Sequence, residues 1–191
     1  MRTVVFDIET SNEWTWGVPD LGKLDIAVVA IHDSLTDTYQ SFEQEELGTL
    51  WQILEKTDVL VGYNSDHFDI PILNRYYAGD LTHIKSIDLL KEVKNTIGRR
   101  LKLDNLAQAT LGRGKIGDGL QAVEWWKQGL REKVKEYCIE DVRITKDIFE
   151  YAKKNGSLKY KDFSGDIQEF KIKTSDWKKR EAVAMTHTLP F

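Results

Sequence analysis

Two acids near the start of the chain, Asp7 and Glu9, stand in an otherwise apolar run, Val4-Val5-Phe6-Asp7-Ile8-Glu9-Thr10. The run reads as a buried strand, and successive side chains of a strand point to opposite faces. Val4, Phe6 and Ile8 then share one face, while Val5, Asp7 and Glu9 share the other. Neighbouring carboxylates at the end of an apolar strand repel each other and lose hydration, a cost that a cation relieves. A divalent metal with oxygen ligands is one answer. A strand that runs out into solvent, leaving both acids hydrated, is the other.

Two later segments bear on that choice. Val59-Leu60-Val61 is an apolar run that ends at Gly62, followed by a polar loop, Tyr63-Asn64-Ser65-Asp66-His67-Phe68. Asp69 comes next, at the start of a helical pattern that contains Ile72, Leu73, Tyr76 and Tyr77. Asp69 also suits the N-cap of that helix, with Pro71 tolerated in its first turn. The other segment, Tyr137-Cys138-Ile139-Glu140-Asp141-Val142, falls inside a long helical pattern over 130–153. Tyr137 and Asp141 are one turn apart on one face of it. Val134, Ile139, Val142, Ile144, Ile148 and Phe149 supply its apolar side.

Taken together, these segments resemble the 3′–5′ exonucleases of the DEDD superfamily, which have an RNase H-like fold and include polymerase proofreading domains. The family's Asp-x-Glu motif is matched by Asp7 and Glu9, and its Asn-x-x-x-Phe-Asp pattern by Asn64, Phe68 and Asp69. Its third motif, Tyr-x-x-x-Asp, is matched by Tyr137 and Asp141, where tyrosine marks the tyrosine subgroup. The wording around Gly62-Tyr63-Asn64 is similar to family B DNA polymerase exonuclease domains and to stand-alone bacterial and phage relatives. The resemblance covers roughly residues 1–152, with every motif position present.

The resemblance implies hydrolysis of phosphodiester bonds at the 3′ end of single-stranded DNA, releasing nucleoside 5′-monophosphates. Such cleavage needs an activated water, charge relief on the phosphoryl oxygens and a stabilised leaving oxygen, all of which a pair of divalent ions supplies. By the same analogy Asp7 bridges two ions, Glu9 and Asp141 complete the coordination of the first ion, and Asp69 holds the second ion directly or through water. Tyr137 orients the attacking water; an unperturbed phenol titrates near pH ~10 and is a poor general base. Mg2+ or Mn2+ suits an all-oxygen site, whereas zinc recruits His or Cys. Thr10, Ser11 and Asn64 are expected to approach the terminal nucleotide, with Phe68 alongside.

The remaining sequence supplies the scaffold. Apolar strands are expected near 2–8, 25–32, 37–42, 58–62 and 84–87, with a hairpin turn between Asp33 and Asp37. Helices are expected near 44–55, 69–78, 88–95, 103–111, 121–128 and 130–153. Strands first and helices interleaved later predict an α/β fold, a mixed β-sheet flanked by helices. Asp88 reads as the cap of the helix that follows it. Residues 112–119 form a Gly-rich loop that lacks the Gly-Lys-Ser/Thr of a phosphate loop. Arg113 and Lys115 there either touch a nucleic-acid backbone or are simply solvated. Trp14 and Trp16, just after the acid-bearing strand, suit base stacking or core cover equally. Of Trp125 and Trp126, one is expected to pack inward and the other to stay partly exposed.

Residues 1–155 are expected to form the nuclease domain, and residues 156–191 a C-terminal extension with strands near 158–161 and 166–173. Residues 153–181 carry nine Lys or Arg against five Asp or Glu, a local balance of +4 in a chain of net charge −4. That basic stretch suits a substrate or partner, or a plain hairpin at a sheet edge. The ending His187-Thr188-Leu189-Pro190-Phe191 faintly resembles the tails that bind bacterial sliding clamps, without their leading Gln. A chain of 191 residues with one Cys, no signal peptide and no run long enough to cross a bilayer suits the cytoplasm. Two alternatives to the DNA exonuclease stand: an exoribonuclease or short-oligonucleotide hydrolase, and a catalytically silent nucleic-acid-binding module.

Overall fold

Alternating apolar residues fix the centre of the molecule first. In the computed structural model, which describes residues 1–13, 20–114 and 119–177, β1 spans Thr3–Thr10. It is joined by β2 (Ile26–Asp33), β3 (Thr38–Glu43), β4 (Val59–Gly62) and β5 (Lys85–Asp88). The sheet order is β3-β2-β1-β4-β5. β1 pairs antiparallel with β2 and parallel with β4, so the sheet is mixed, as expected. The helices are α1 (Leu47–Leu54), α2 (Asp69–Leu73), α3 (Leu89–Ile97), α4 (Leu103–Leu111), α5 (Gly119–Lys127) and α6 (Arg131–Asn155).

The two faces of β1 enter two separate cores. Val4, Phe6 and Ile8 pack with Leu47, Leu50 and Leu54 of α1 and with Ile70, Ile72 and Leu73 of α2. Val5 faces the other way, into a larger core with Val134, Cys138, Val142 and Ile148 of α6. Every residue of β2 is buried, which is what a central strand covered on both faces requires. The pairing of β1 with β2 slips between Glu9 and Thr10. Such a bulge turns the strand end and re-aims its side chains.

Two expectations about the scaffold need correction. α2 ends at Leu73 rather than near residue 78. Its last turn tightens, with Arg75 and Tyr76 donating three residues back to Ile72 and Leu73, and Asn74 turns its side chain to Leu81 and Asp80. Nor is Asp69 a cap. Phe68 holds the N-cap position of α2 without a side-chain bond, and Asp69 is the first helical residue.

Asp88 does cap α3, and does more besides. Its Oδ1 accepts the N–H groups of Leu90 (2.9 Å) and Lys91 (3.2 Å), as an N-cap should. The same carboxylate accepts Asn64 N–H at 2.8 Å and Asp66 N–H at 3.2 Å. One buried acid thus joins the end of β5 to the loop after β4. Asn64 lies in the left-handed region at φ 67°, a conformation Asn tolerates better than most residues. Gly62 makes room for the loop to fold back: a Cβ there would meet Ser65 Cβ at 2.5 Å.

The C-terminal segment adds a small second sheet, β6 (Ser157–Lys161) with β7 (Ile167–Lys171). It rests on α4 and α6, and Trp177 beyond it stacks on Phe149 of α6 at 5.3 Å. Just before β1, Arg2 grips Asp33 through two bonds, of 3.0 and 2.6 Å. That guanidinium holds the Asp33 carboxyl below the usual carboxylate range, against the opposing effect of burial.

A depressed carboxyl contributes stability above its unfolded value, near pH ~4, and loses it as the pH falls through the folded value. Asp33→Asn is therefore expected to cost about 3 kcal/mol at neutral pH. The gap from wild type should close as urea denaturation is repeated at falling pH below about 4. A gap that does not change with pH would remove the ion pair from the account. Asp88→Ala is expected to cost about 2 kcal/mol in the same measurement, because four backbone donors lose their acceptor. A loss under about 0.5 kcal/mol would mean that water replaces the carboxylate.

Candidate active site

The bulged end of β1 and the middle of α6 bring three carboxylates together. An oxygen from each of Asp7, Glu9 and Asp141 lies within 4.8 Å of the others. Alternation puts Asp7 and Glu9 on the α6 side of the sheet, and α6 crosses there with Asp141 turned inward. Glu9 and Asp141 are buried, and Asp7 is partly open. Cys138 lies beneath, its thiol donating to Asp7 O at 3.4 Å and to Asp7 Oδ2 at 3.7 Å. Burial, then the charges of Asp7, Glu9 and Asp141, push the thiol well above its ordinary pKa. A small neutral residue is what the floor of an anionic pocket tolerates.

The donor set fits a hard divalent cation. Three carboxylates offer only oxygens, and their spacing lets one ion bind all three. Among the described residues no His or second Cys joins the cluster, which disfavours zinc.

Asp69 is not one of the three converging groups. Its Oδ1 accepts the N–H of Ile8, the residue between Asp7 and Glu9, at 3.1 Å. This bond pins the start of α2 to the acid-bearing strand. Burial raises the Asp69 carboxyl to about 7, while the N–H groups of Asp69 itself and Ile8 pull it down. A raised carboxyl weakens the fold as pH climbs from about 4 toward that value. A nearby cation opposes the effect.

Tyr137 lies one turn before Asp141, nearly buried, with the edge of Trp125 against its ring at 5.8 Å. A groove of about 530 Å³ runs past it, lined by Trp125, Lys133, Glu136, Ile139 and Arg143. Ile139, expected on the buried side, is half-buried on this groove. Trp125 and Trp126 are both half-buried, rather than one in and one out, and each carries a cation on its ring: Lys133 at 4.0 Å and Arg131 at 3.8 Å. Amphipathic rings of that size shield a core with one face and stay wet on the other.

The other expected residues fall as follows. The Thr10 hydroxyl donates to Asn12 O at 2.9 Å, closing the turn after β1, and the Ser11 hydroxyl donates to Asp25 O. Asn64 lies on the loop after β4, where its Oδ1 accepts from Arg100 at 2.7 Å. Phe68 packs on the α2 side of the sheet, so its ring serves the core there. Arg113 pairs with Glu140 and Asp147 of α6 instead of standing free in the loop. Trp14, Trp16, Lys115 and the segment from His187 to Phe191 lie outside the described residues. Sequence reasoning missed Arg100, and it missed the bond by which Tyr63 donates to Leu101 O at 2.8 Å. No local pattern marks either bond, since each spans more than thirty residues.

Comparison with curated proteins finds no match. Among solved structures, the chain is similar to the family B DNA polymerase of the hyperthermophilic archaeon Pyrobaculum calidifontis, with 22% identity and a TM-score of 0.62. The likeness covers 80% of this chain but 24% of the polymerase, so the chain corresponds to about a quarter of that protein. At that identity the likeness is one of fold. Among the described residues no helix is long and apolar enough to cross a membrane. The segment that builds both the five-stranded sheet and α6, residues 4–153, matches the RNase H superfamily, and the chain belongs to that superfamily.

Proposed function

We propose that the protein is a metal-dependent 3′–5′ exonuclease of the tyrosine subgroup, acting on single-stranded DNA ends. The observation that carries this reading is the convergence of Asp7, Glu9 and Asp141 within 4.8 Å on two elements of an RNase H superfamily fold. The likeness to a quarter of a DNA polymerase supports it, as does the complete set of motif residues. On this reading residues 1–155 are the nuclease unit and residues 156–191 an appended element.

Asp7, Glu9 and Asp141 would hold a Mg2+ or Mn2+ ion, and Asp69, beside Ile8, would serve a second. Bound divalent cations supply charge relief at phosphorus and a nucleophile at neutral pH. Among the chain's own groups, Tyr137 is held by α6 and Trp125 so that its hydroxyl fixes the direction of attack. Asn64 and Thr10 edge the pocket where the terminal nucleotide is oriented. Asp69 keeps β1 and α2 in register, so the acids do not drift apart when substrate enters.

The direct test uses matched 5′-labelled single-stranded DNA and RNA with Mg2+, with Mn2+ and with EDTA. The expected result is a metal-dependent ladder that shortens from the 3′ end of DNA. A ladder on RNA alone would transfer the activity to RNA turnover, and binding without cleavage would make the protein a silent module. Asp7→Ala and Asp141→Ala should each lower cleavage at least a thousandfold (about 4 kcal/mol) with an unchanged circular dichroism spectrum. Tyr137→Phe should slow cleavage less, by roughly ten- to a hundredfold, about 1.4 to 2.7 kcal/mol.

A readout independent of activity is available from thermal unfolding. Mn2+ should raise the Tm of the wild type by several degrees (roughly 1 to 3 kcal/mol of linkage) and leave Asp7→Ala unmoved. An equal gain in both proteins would place the ion elsewhere.

A further inference from the structure

The connection between α3 and α4, residues 98–102, reads Gly-Arg-Arg-Leu-Lys. Two bonds fasten it to the loop after β4. Tyr63 donates its hydroxyl proton to Leu101 O at 2.8 Å, and Arg100 donates to Asn64 Oδ1 at 2.7 Å. Across a groove of about 340 Å³ stands the tip of the β6–β7 hairpin, with Lys161 and Phe163. Arg99 joins the two sides. Its guanidinium lies 4.6 Å from the centre of the Tyr160 ring and 5.1 Å from that of Phe163.

Phe163 is 98% exposed, more than any other large apolar side chain among the described residues. Asp162 ties the turn together, its Oδ1 accepting Ser164 N–H at 2.9 Å and Asp166 N–H at 3.0 Å. Gln168 donates to the other oxygen at 2.8 Å. Below the tip, α4 fastens the outer edge of β6. Asn105 exchanges two bonds with the Lys161 backbone, at 2.8 and 2.9 Å, and Thr110 exchanges two with that of Lys159, at 2.9 and 3.0 Å. A bare aromatic ring is thus held in water by a stiff mount, at a cost in exposed apolar area.

The charges nearby say what covers it. Arg99, Arg100, Lys102 and Lys161 line the groove. Of its two acids, Asp162 is occupied by the turn and Asp104 accepts from Gln108 at 2.9 Å. Cations spaced around a rigid ring match the repeating phosphate and base of a single strand. The groove adjoins the loop after β4, because Arg100, which lines it, donates to Asn64 Oδ1. The hairpin also lies beyond residues 4–153, the span that matches the superfamily.

We infer that this groove is a second contact site for the single-stranded DNA, upstream of the 3′ end being cut. Arg99, Arg100, Lys102 and Lys161 take phosphates there, and Phe163 stacks one base. The inference rests on the exonuclease reading for the direction of the strand. Its test compares Phe163→Ala and Lys161→Glu with the wild type on two substrates, using the full chain. One is a long 5′-labelled single strand. The other is the p-nitrophenyl ester of thymidine 5′-monophosphate, which has a single phosphodiester and cannot reach the groove.

Each variant should raise KM for the long strand roughly five- to tenfold with kcat unchanged, the range expected for one lost stacking or phosphate contact. Lys161→Glu should also flatten the dependence of affinity on salt. Hydrolysis of the ester should not change. An unaltered KM for the strand overturns the proposal. So does an equal loss on both substrates, which would give the hairpin a purely structural role. If the wild type cleaves neither substrate, the exonuclease reading has failed separately. Fluorescence anisotropy with a labelled strand then decides the groove: weaker binding by both variants supports it, and equal binding overturns it.

Discussion

Three carboxylates held within 4.8 Å of one another are the constraint around which this protein is organised. Like charges in partly buried surroundings repel strongly. The fold withstands this because the elements that carry the acids are locked from elsewhere. β1 is hydrogen-bonded on both sides, to β2 and β4, and its apolar residues enter two cores. α6 presents Val134, Cys138, Val142 and Ile148 to the same sheet that bears Asp7 and Glu9. Cys138 is informative here. A thiol kept protonated by its burial and its anionic neighbours fills the space under the acids without adding charge. An Asp or a Lys at that position would change the sign or the depth of the pocket.

The sheet's change of direction explains where the site opens. β1 runs antiparallel to β2 but parallel to β4 and β5, so the C-terminal ends of these three strands share one edge. Loops leaving parallel strands at a common edge make a crevice, and open α/β sheets place their ligands there. In this chain that edge gathers Glu9, the loop with Asn64, and Asp88. The Asp88 carboxylate holds two helix N–H groups and two loop N–H groups at once, so the cap of α3 and the wall of the crevice are one structure. Asp69 plays a similar part across the sheet, joining α2 to the N–H of Ile8. Both acids are positioned by backbone donors, which move less than side chains do.

Much of this was written locally. The alternation in residues 4–10 sorts Asp7 and Glu9 onto one face, and the structure keeps them there with Val5 on the α6 side. Among the described residues, the seven strands and six α-helices begin within about three residues of where composition and periodicity put them, for those signals are local. What escaped was set by distance or by competition. The early end of α2 follows from Asn74 bonding Leu81 and Asp80, a preference no helical pattern records. Arg113 reads as a loop cation until α6 brings Glu140 and Asp147 beneath it. The Tyr63–Leu101 and Arg100–Asn64 bonds join segments with no shared periodicity, so only the assembled fold shows them. Asp88 was legible as a cap, and its second pair of donors was not.

The same logic reconciles an acidic chain with the polyanionic substrate proposed for it. A net charge of −4 repels nucleic acid at long range, but salt screens charges beyond about 10 Å, so local arrangement decides. Three acids, Asp7, Glu9 and Asp141, converge in the crevice, where a bound divalent cation would offset most of their charge. The cations of residues 99–102 and of the hairpin line a groove beside the loop that carries Asn64. Holding them there takes structure. A two-stranded hairpin is marginal alone, and here α4 completes the free edge of β6 with side chains of Asn105 and Thr110 in place of a third strand. The outer edge, β7, carries Lys171 and Glu169 among exposed residues, a pattern that discourages further pairing. An element braced on one side and guarded on the other is built to present its tip, and its tip is Phe163 beside Arg99.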